Sequence, residues 1–570
     1  MRFSHLSPPW LAAAAVAALL VPKPAEAQFW AKQQGNGGAV AAAPLAAPGD
    51  QPAAQPDSQP DSGVDDQAPP PQSGERTIIR EPTLSAPPAP GSSLGGSGDT
   101  GTDSIGILPS RDTDFGRETW RYTSFNTVLV LMRALPDRVD SAAEHELAKN
   151  LLVSIADAPQ GDDGGSRLLS TRVQKLFAMG NIVDAAALAR AAPGMPDDVD
   201  LARTEIQAEL LSGQIESACI DLRSFASLLT DTVSQNALTL CRQSAGETID
   251  GSPPPIDAAS LGAASRIAGI PLSVDMQTAP PANLVAVALD PAASPETRLE
   301  SALAAGRASA LYGEFLAKIF AGAPAAGLPA DGGPPADGAA AAALYQAIAQ
   351  EGAVEQRVGL AERGLLSADG IADKVGVAMV APLRKFEPVP ELGPVAARIA
   401  ILFYTLGDIE AATPWAELAD SSGGGTLLWP YRVLIKQADP GGIGDWEQAV
   451  SLDPAYRARI VTILSAFGIT APPRPLARVA GDDRPEPPFA DLLAMDKSAK
   501  DLHVGETVLR ALSVLGRGGP AVVHPLALRR VLADLDQVSL HSEAHALAFE
   551  AITAALFAGR QTGGKLGAGP

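Results

Sequence analysis

Four of the six histidines fall between His503 and His545, and His541-Ser-Glu-Ala-His545 sets two imidazoles four residues apart on one helical face. That spacing lets a helix offer two nitrogen ligands to zinc. Glu543 points roughly 200° around the same helix from His541, however, and the order His-Glu-x-x-His, which pairs two ligands with a general base, is absent. The histidines are therefore expected to be exposed or capping residues, with His541 and His545 as weak metal candidates, and neither a metal nor a cofactor is expected. Gly91-Ser-Ser93-Leu-Gly95 has the letters of the turn that exposes a hydrolase serine, but no strand or helix pattern surrounds Ser93. Gly559 to Lys565 imitates a phosphate-binding Gly-x-x-x-x-Gly-Lys loop, yet Leu566 stands where a hydroxyl is needed and too few residues follow for the helix. No catalytic residue is assigned.

The two cysteines, Cys219 and Cys241, fall on successive expected helices joined by a turn near Leu229 and Thr230. Each lies about eleven residues from that turn, so in an antiparallel hairpin the two sit at the same height. A disulfide closing such a loop in an oxidising compartment would contribute on the order of 3 kcal/mol. The helical phase leaves the alternative open, because it could turn one sulfur away. No Cys-x-x-Cys spacing marks a redox pair.

The elements that must carry these residues follow from composition. Arg2 and His5 precede an apolar stretch from Trp10 to Val21, and Ala25-Glu26-Ala27 forms a small-x-small cleavage site, the pattern of a secretory signal over residues 1–27. Twelve apolar residues make about 18 Å of helix, short of the ~30 Å hydrocarbon core of a membrane. No later apolar run reaches 18 residues, so no transmembrane segment is expected after cleavage, and the product belongs in a periplasm or outside the cell. Residues 28–117 hold no aromatic between Ala31 and Asp114 and are rich in Pro, Ala and Gly, which predicts a disordered tether. Order is expected from Glu118, where Trp120, Tyr122, Phe125 and Val128 supply bulk. From there to Leu556 the spacing of apolar residues predicts an all-α chain: a helical domain over 118–470 with loops near 246–262 and 322–343, a Pro-rich linker over 471–488, a C-terminal helical module over 489–556, and a disordered tail over 557–570. The net charge of −22 argues against affinity for nucleic acid.

One pattern recurs. Phe177-Ala-Met-Gly180-Asn-Ile182-Val-Asp-Ala185 returns as Leu210-Leu-Ser-Gly213-Gln-Ile215-Glu-Ser-Ala218 and as Tyr404-Thr-Leu-Gly407-Asp-Ile409-Glu-Ala-Ala412. A helix closes on an apolar residue, Gly takes the turn at low steric cost, and a small Ala lets the next helix approach. This turn, together with the 33 residues from Gly180 to Gly213, resembles the tetratricopeptide repeat, a two-helix unit. The match covers three turns. The position four before the glycine is bulky at Leu176 and Phe403 but is Glu209 in the third turn, and Leu169, Ala202 and Ala396 stand where the family prefers Trp. The resemblance implies an α-solenoid of helix-turn-helix repeats whose concave face binds other proteins.

The wall-cleaving lytic transglycosylases also use helical superhelices, but neither Glu216-Ser217 nor Glu300-Ser301 is followed by that family's Gly-Leu-Met-Gln stretch. The sequence thus leads to a non-enzymatic scaffold for protein partners, of unspecified identity, in the cell envelope. The alternative is an envelope enzyme or wall-polymer binder working through 489–556, with a metal at His541 and His545. Export itself is directly measurable: intact mass or N-terminal sequencing of the exported protein should show a mature chain beginning at Gln28, and a chain retaining Met1 would remove the signal reading.

Overall fold

The structure, a computed structural model, describes residues 102–108, 115–161, 165–192, 198–248, 265–272, 274–328, 333–350, 352–450, 452–469, 479 and 482–561. The signal peptide, the tether before Thr102, the Ser93 and Lys565 motifs, and most of the Pro-rich linker lie outside the described residues.

Among the described residues the fold is all-α, with no strand and only two single parallel bridges, Leu108 with Ser154 and Ser124 with Gln160. The first helices are α1 (Phe125–Ala134), α2 (Ala142–Val153), α3 (Arg167–Ala178), α4 (Ile182–Arg190), α5 (Val199–Leu211), α6 (Ile215–Ser224) and α7 (Thr232–Ser244). The middle of the chain forms α8 (Pro281–Ala288), α9 (Pro295–Arg307), α10 (Gly313–Ala321), α11 (Gly338–Ala349), α12 (Val354–Leu365) and α13 (Lys374–Val380). The rest forms α14 (Gly393–Thr405), α15 (Ile409–Ser421), α16 (Trp429–Leu434), α17 (Ile443–Ala449), α18 (Pro454–Leu464), α19 (Phe489–Lys500), α20 (Val504–Leu515), α21 (Pro525–Gln537) and α22 (His541–Gln561). Their starts are written locally. Ser124, Ser141, Asp198, Asp231, Ser294, Asp373 and Asp453 each accept a backbone N–H of the first turn, and Pro281, Pro295, Pro454 and Pro525 sit at a helix start where no N–H is missed.

Three boundaries differ from the sequence expectation. The chain is in place from Thr102, ahead of Glu118: buried Asp103 accepts the N–H groups of Leu168 (3.2 Å) and Leu169 (2.7 Å), capping α3 from a distance, and Phe115 is fully buried. A single capping carboxylate does this, which average composition does not register. Helix α11 begins inside the loop expected at 322–343, because Asp337 caps the Ala-rich run through the Ala340 N–H. Helix α22 continues to Gln561, beyond the end expected at Leu556.

The repeated turns have one geometry. Gly180, Gly213 and Gly407 adopt φ of +95°, +84° and +66°. In each turn the residue after the glycine donates its N–H to the carbonyl five residues back, Asn181 to Leu176, Gln214 to Glu209 and Asp408 to Phe403, the bond that closes a helix against a left-handed glycine. Ala185, Ala218 and Ala412 are fully buried where the second helix of each pair meets the first. The three hairpins are α3/α4, α5/α6 and α14/α15.

One continuous hydrophobic core runs from Phe115 to Leu556. Helices α20 and α22, beyond the Pro-rich segment, pack on α1 and α2 at the start of the ordered chain, and α22 also packs on α14 and α18. Tyr404 of α14 stacks on Tyr431 of α16 at 5.3 Å, with Phe549 of α22 against both rings, and Thr553 of α22 shares hydrogen bonds with Thr405 and the Tyr431 hydroxyl. A second, smaller core of Ile206, Leu210, Leu222, Phe225 and the two cysteines belongs to α5, α6 and α7.

The turn glycines separate two costs. A Cβ on Gly180 would stand 2.3 Å from the Ala310 Cβ, whereas one on Gly213 would meet nothing within 4 Å. Gly213→Ala should therefore lose only the positive-φ term, about 1 kcal/mol, and Gly180→Ala about 2–4 kcal/mol, the same term plus overpacking. Urea unfolding of the two variants measures this, and equal losses would remove the close approach at Gly180.

Candidate functional site

The residues singled out in the sequence are brought together only in part. Cys219 of α6 and Cys241 of α7 form a disulfide with Cα atoms 5.5 Å apart, at the heart of the small second core. His541 and His545 do not share a metal cluster among the described residues. The His541 Nδ1 lies 2.6 Å from Asp536 at an exposed helix start, while the His545 ring packs against Phe467 and Phe549. Burial lowers His545 to about 4, so it sits there as a neutral, apolar-facing ring.

Among the described residues, a surface cleft of about 540 Å³ is walled by Asp140, Asp369, Arg484, Arg517, Ala521 and Val522. It forms where the loop before α2 meets the loop after α20. Asp140 accepts from Arg138 (2.6 Å) and Arg517 (2.8 Å), so its charge is used to hold the wall. The wall mixes guanidinium and carboxylate groups with the apolar Ile371, Pro485, Ala521 and Val522.

Near Asp140 the interior holds a cluster of buried polar side chains. Ser141 caps α2 by accepting the Glu144 N–H (3.1 Å) and donates its hydroxyl to Glu550 Oε2 of α22 (2.7 Å). Both oxygens of Glu144 are buried with no hydrogen-bond partner among the described residues. Burial, with Glu550 and Asp140 nearby, raises Glu144 well above the ordinary carboxyl range. Burial likewise raises Glu550 from 4.5 to about 8, against hydrogen bonds from Ser141 and Ala143, and Asp373 from 3.8 to about 7. On the other side of α2, Glu146 bridges Lys149 and Lys374 (3.3 Å to the latter), and His145 shares a contact of 3.2 Å with Asn181. Burial thus favours the protonated form of both the Glu144 and Glu550 carboxyls, sealed between helices.

A different acidic group stands near the disulfide. Glu205 and Glu209, one turn apart on α5, and Asp221 on α6 each place a carboxylate oxygen within 4.8 Å of the others, and among the described residues they are the group with the donor set for a metal ion. Sequence reasoning had met Glu209 only as the residue that breaks the bulky pattern before Gly213. Its signal was present in the four-residue spacing of Glu205 and Glu209, but nothing local says that Asp221 returns to the same height.

Compared with known proteins, the chain matches no family model, no curated protein and no solved structure.

The buried acids make stability depend on pH. Between about pH 4.5 and 8 the unfolded chain releases the Glu550 proton while the folded chain keeps it, so folding loses stability as pH rises through this window. Glu550→Gln, which keeps an acceptor for Ser141, should flatten that slope and be more stable than the parent by on the order of 2 kcal/mol at pH 8, with little difference at pH 4. Thermal melts of both proteins across the range check it; parallel profiles would mean that Glu550 is ionised in place.

Proposed function

We propose that the chain is an exported, non-enzymatic scaffold whose helix-turn-helix units stack as a short α-solenoid and which docks another protein of the cell envelope. The observation that carries this reading is an exposed apolar edge on the C-terminal module. Phe489 and Leu493, one turn apart on α19, are 77% and 55% exposed, and Leu526 at the start of α21 is 38% exposed. Asp496 of α19 bonds Arg530 of α21 at 2.7 Å, which sets Leu493 and Leu526 one turn earlier on two adjacent helices. Glu486 and His524, 3.7 Å apart, join the same two helix starts. Apolar side chains gathered on a rigid face and rimmed by charge are the usual mark of a protein-binding surface.

Exposed Asp483, Glu486 and Asp491 lie within six residues of Phe489, with Lys497 and Lys500 farther along α19, and the whole chain carries −22. A partner that offers an apolar ridge flanked by Lys and Arg, such as an amphipathic basic helix, fits both features. No described helix is long and apolar enough to cross a membrane, in keeping with a body that works beside one.

The test is capture from native envelopes with the full tagged chain, beside Leu493→Glu and Phe489→Glu variants. These positions are exposed, so thermal stability should stay within about 0.5 kcal/mol of the parent. A partner with a basic apolar segment, retained by the parent and lost by both variants, is the expected result. Capture unaffected by either substitution, or no retained protein at all, would count against the edge and the scaffold reading together.

A further inference from the structure

We infer that Glu205, Glu209 and Asp221 form a binding site for a hard divalent cation, Ca²⁺ foremost, between α5 and α6. This goes beyond the scaffold reading and does not depend on it. Each residue contributes one oxygen to a group spanning no more than 4.8 Å, and oxygens held about 2.4 Å from a shared Ca²⁺ cannot be much farther apart than that. The donor set is all oxygen, with neither imidazole nor thiolate, which selects hard cations over zinc or copper.

The ligand is indicated by what these groups lack. Glu205 is 4% exposed, and among the described residues no hydrogen bond or ion pair reaches its carboxylate, although it is aimed into the cluster. Glu209 is fully buried; its Oε1 accepts the Ser217 hydroxyl (2.7 Å) and faces Arg190 Nε (3.3 Å), and its carboxyl group meets that of Asp221, while no N–H or hydroxyl donor reaches its Oε2. Arg190 acts electrostatically on all three carboxyl groups. Asp221 is half-buried, so the ion has an entry and room to keep water ligands. Arg190 does not block it, since its other nitrogen is turned to Gln214 (2.9 Å). The disulfide two residues before Asp221 ties α6 to α7 and holds the third ligand in register.

The experiment uses the full mature chain, stripped with EDTA and titrated calorimetrically with CaCl₂, MgCl₂ or MnCl₂ at physiological ionic strength, where nonspecific attraction to the acidic surface is screened. The expected result is one equivalent of Ca²⁺ and a raised thermal midpoint, with affinity weakened more than about tenfold in Asp221→Asn and in Glu205→Gln. Asp221 is partly exposed, so Asp221→Asn keeps the question decidable if Glu205→Gln fails to fold. No heat and no shift with any of the three ions, or the same shift in Asp221→Asn as in the parent, overturns the site.

Discussion

The hydroxyl of Ser141 is the point on which the second helix and the last described helix meet. It accepts the Glu144 N–H at the start of α2 and donates to Glu550 of α22, 409 positions away. One side chain therefore starts a helix and fastens the last one to it. Helices that contact only their sequence neighbours would form an open stack, in which each unit depends on the next alone. Here α20 and α22 return to α1 and α2, so elements far apart in the chain also hold each other.

That closure explains where charge is buried and in what state. Arg172 and Arg459 are deep in the protein, but each spends its donors on backbone carbonyls, Leu152 and Ser154 for the first, Pro520 and Ala521 for the second. These are carbonyls at chain bends, where no helix partner reaches them, so the guanidinium fork repairs several orphan acceptors at once. Burial lowers Arg172 to about 10 and Arg459 to about 9, which leaves both charged at neutral pH. The Glu144 carboxyl at the α2 start has no such donors. Burial favours its protonated form, because a neutral acid beside a capped helix costs less than an unpaired anion in the same place.

What could be read from the sequence was whatever is decided within a few residues. The Gly180, Gly213 and Gly407 turns were readable because a left-handed residue between two helices calls for glycine, and the equal distance of Cys219 and Cys241 from their turn was enough to bring them level. The phase of the two helices then had to be supplied by packing, through Phe225 and Leu229 in the small core. The role of Asp103, the sealed acids and the α20–α22 return were not readable, because each depends on a contact between residues 65 or more positions apart that leaves no local periodicity. His541 and His545 mark the opposite limit. Their spacing was right for a shared ligand, but a spacing on one helix says nothing about what faces it, and Phe467 and Phe549 fill the space beside His545.

The acidic trio combines both lessons. Position 209 departs from the bulky residue found at Leu176 and Phe403 in the other turns, so the hairpin that carries it has surrendered apolar packing at its own seam. It stands beside the small core, where α6 and α7 pack against one face of α5 while Leu201, Ala208 and Leu211 of α5 join the main core, and a disulfide supplements that packing. A hairpin so placed could have restored a leucine at that position. Keeping Glu209, Glu205 and Asp221 at one height, with no donor reaching the Glu209 Oε2, favours a structure completed from outside the chain. An ion bridging α5 to α6, beside a disulfide bridging α6 to α7, would give this satellite two cross-links where the rest of the protein relies on its continuous core.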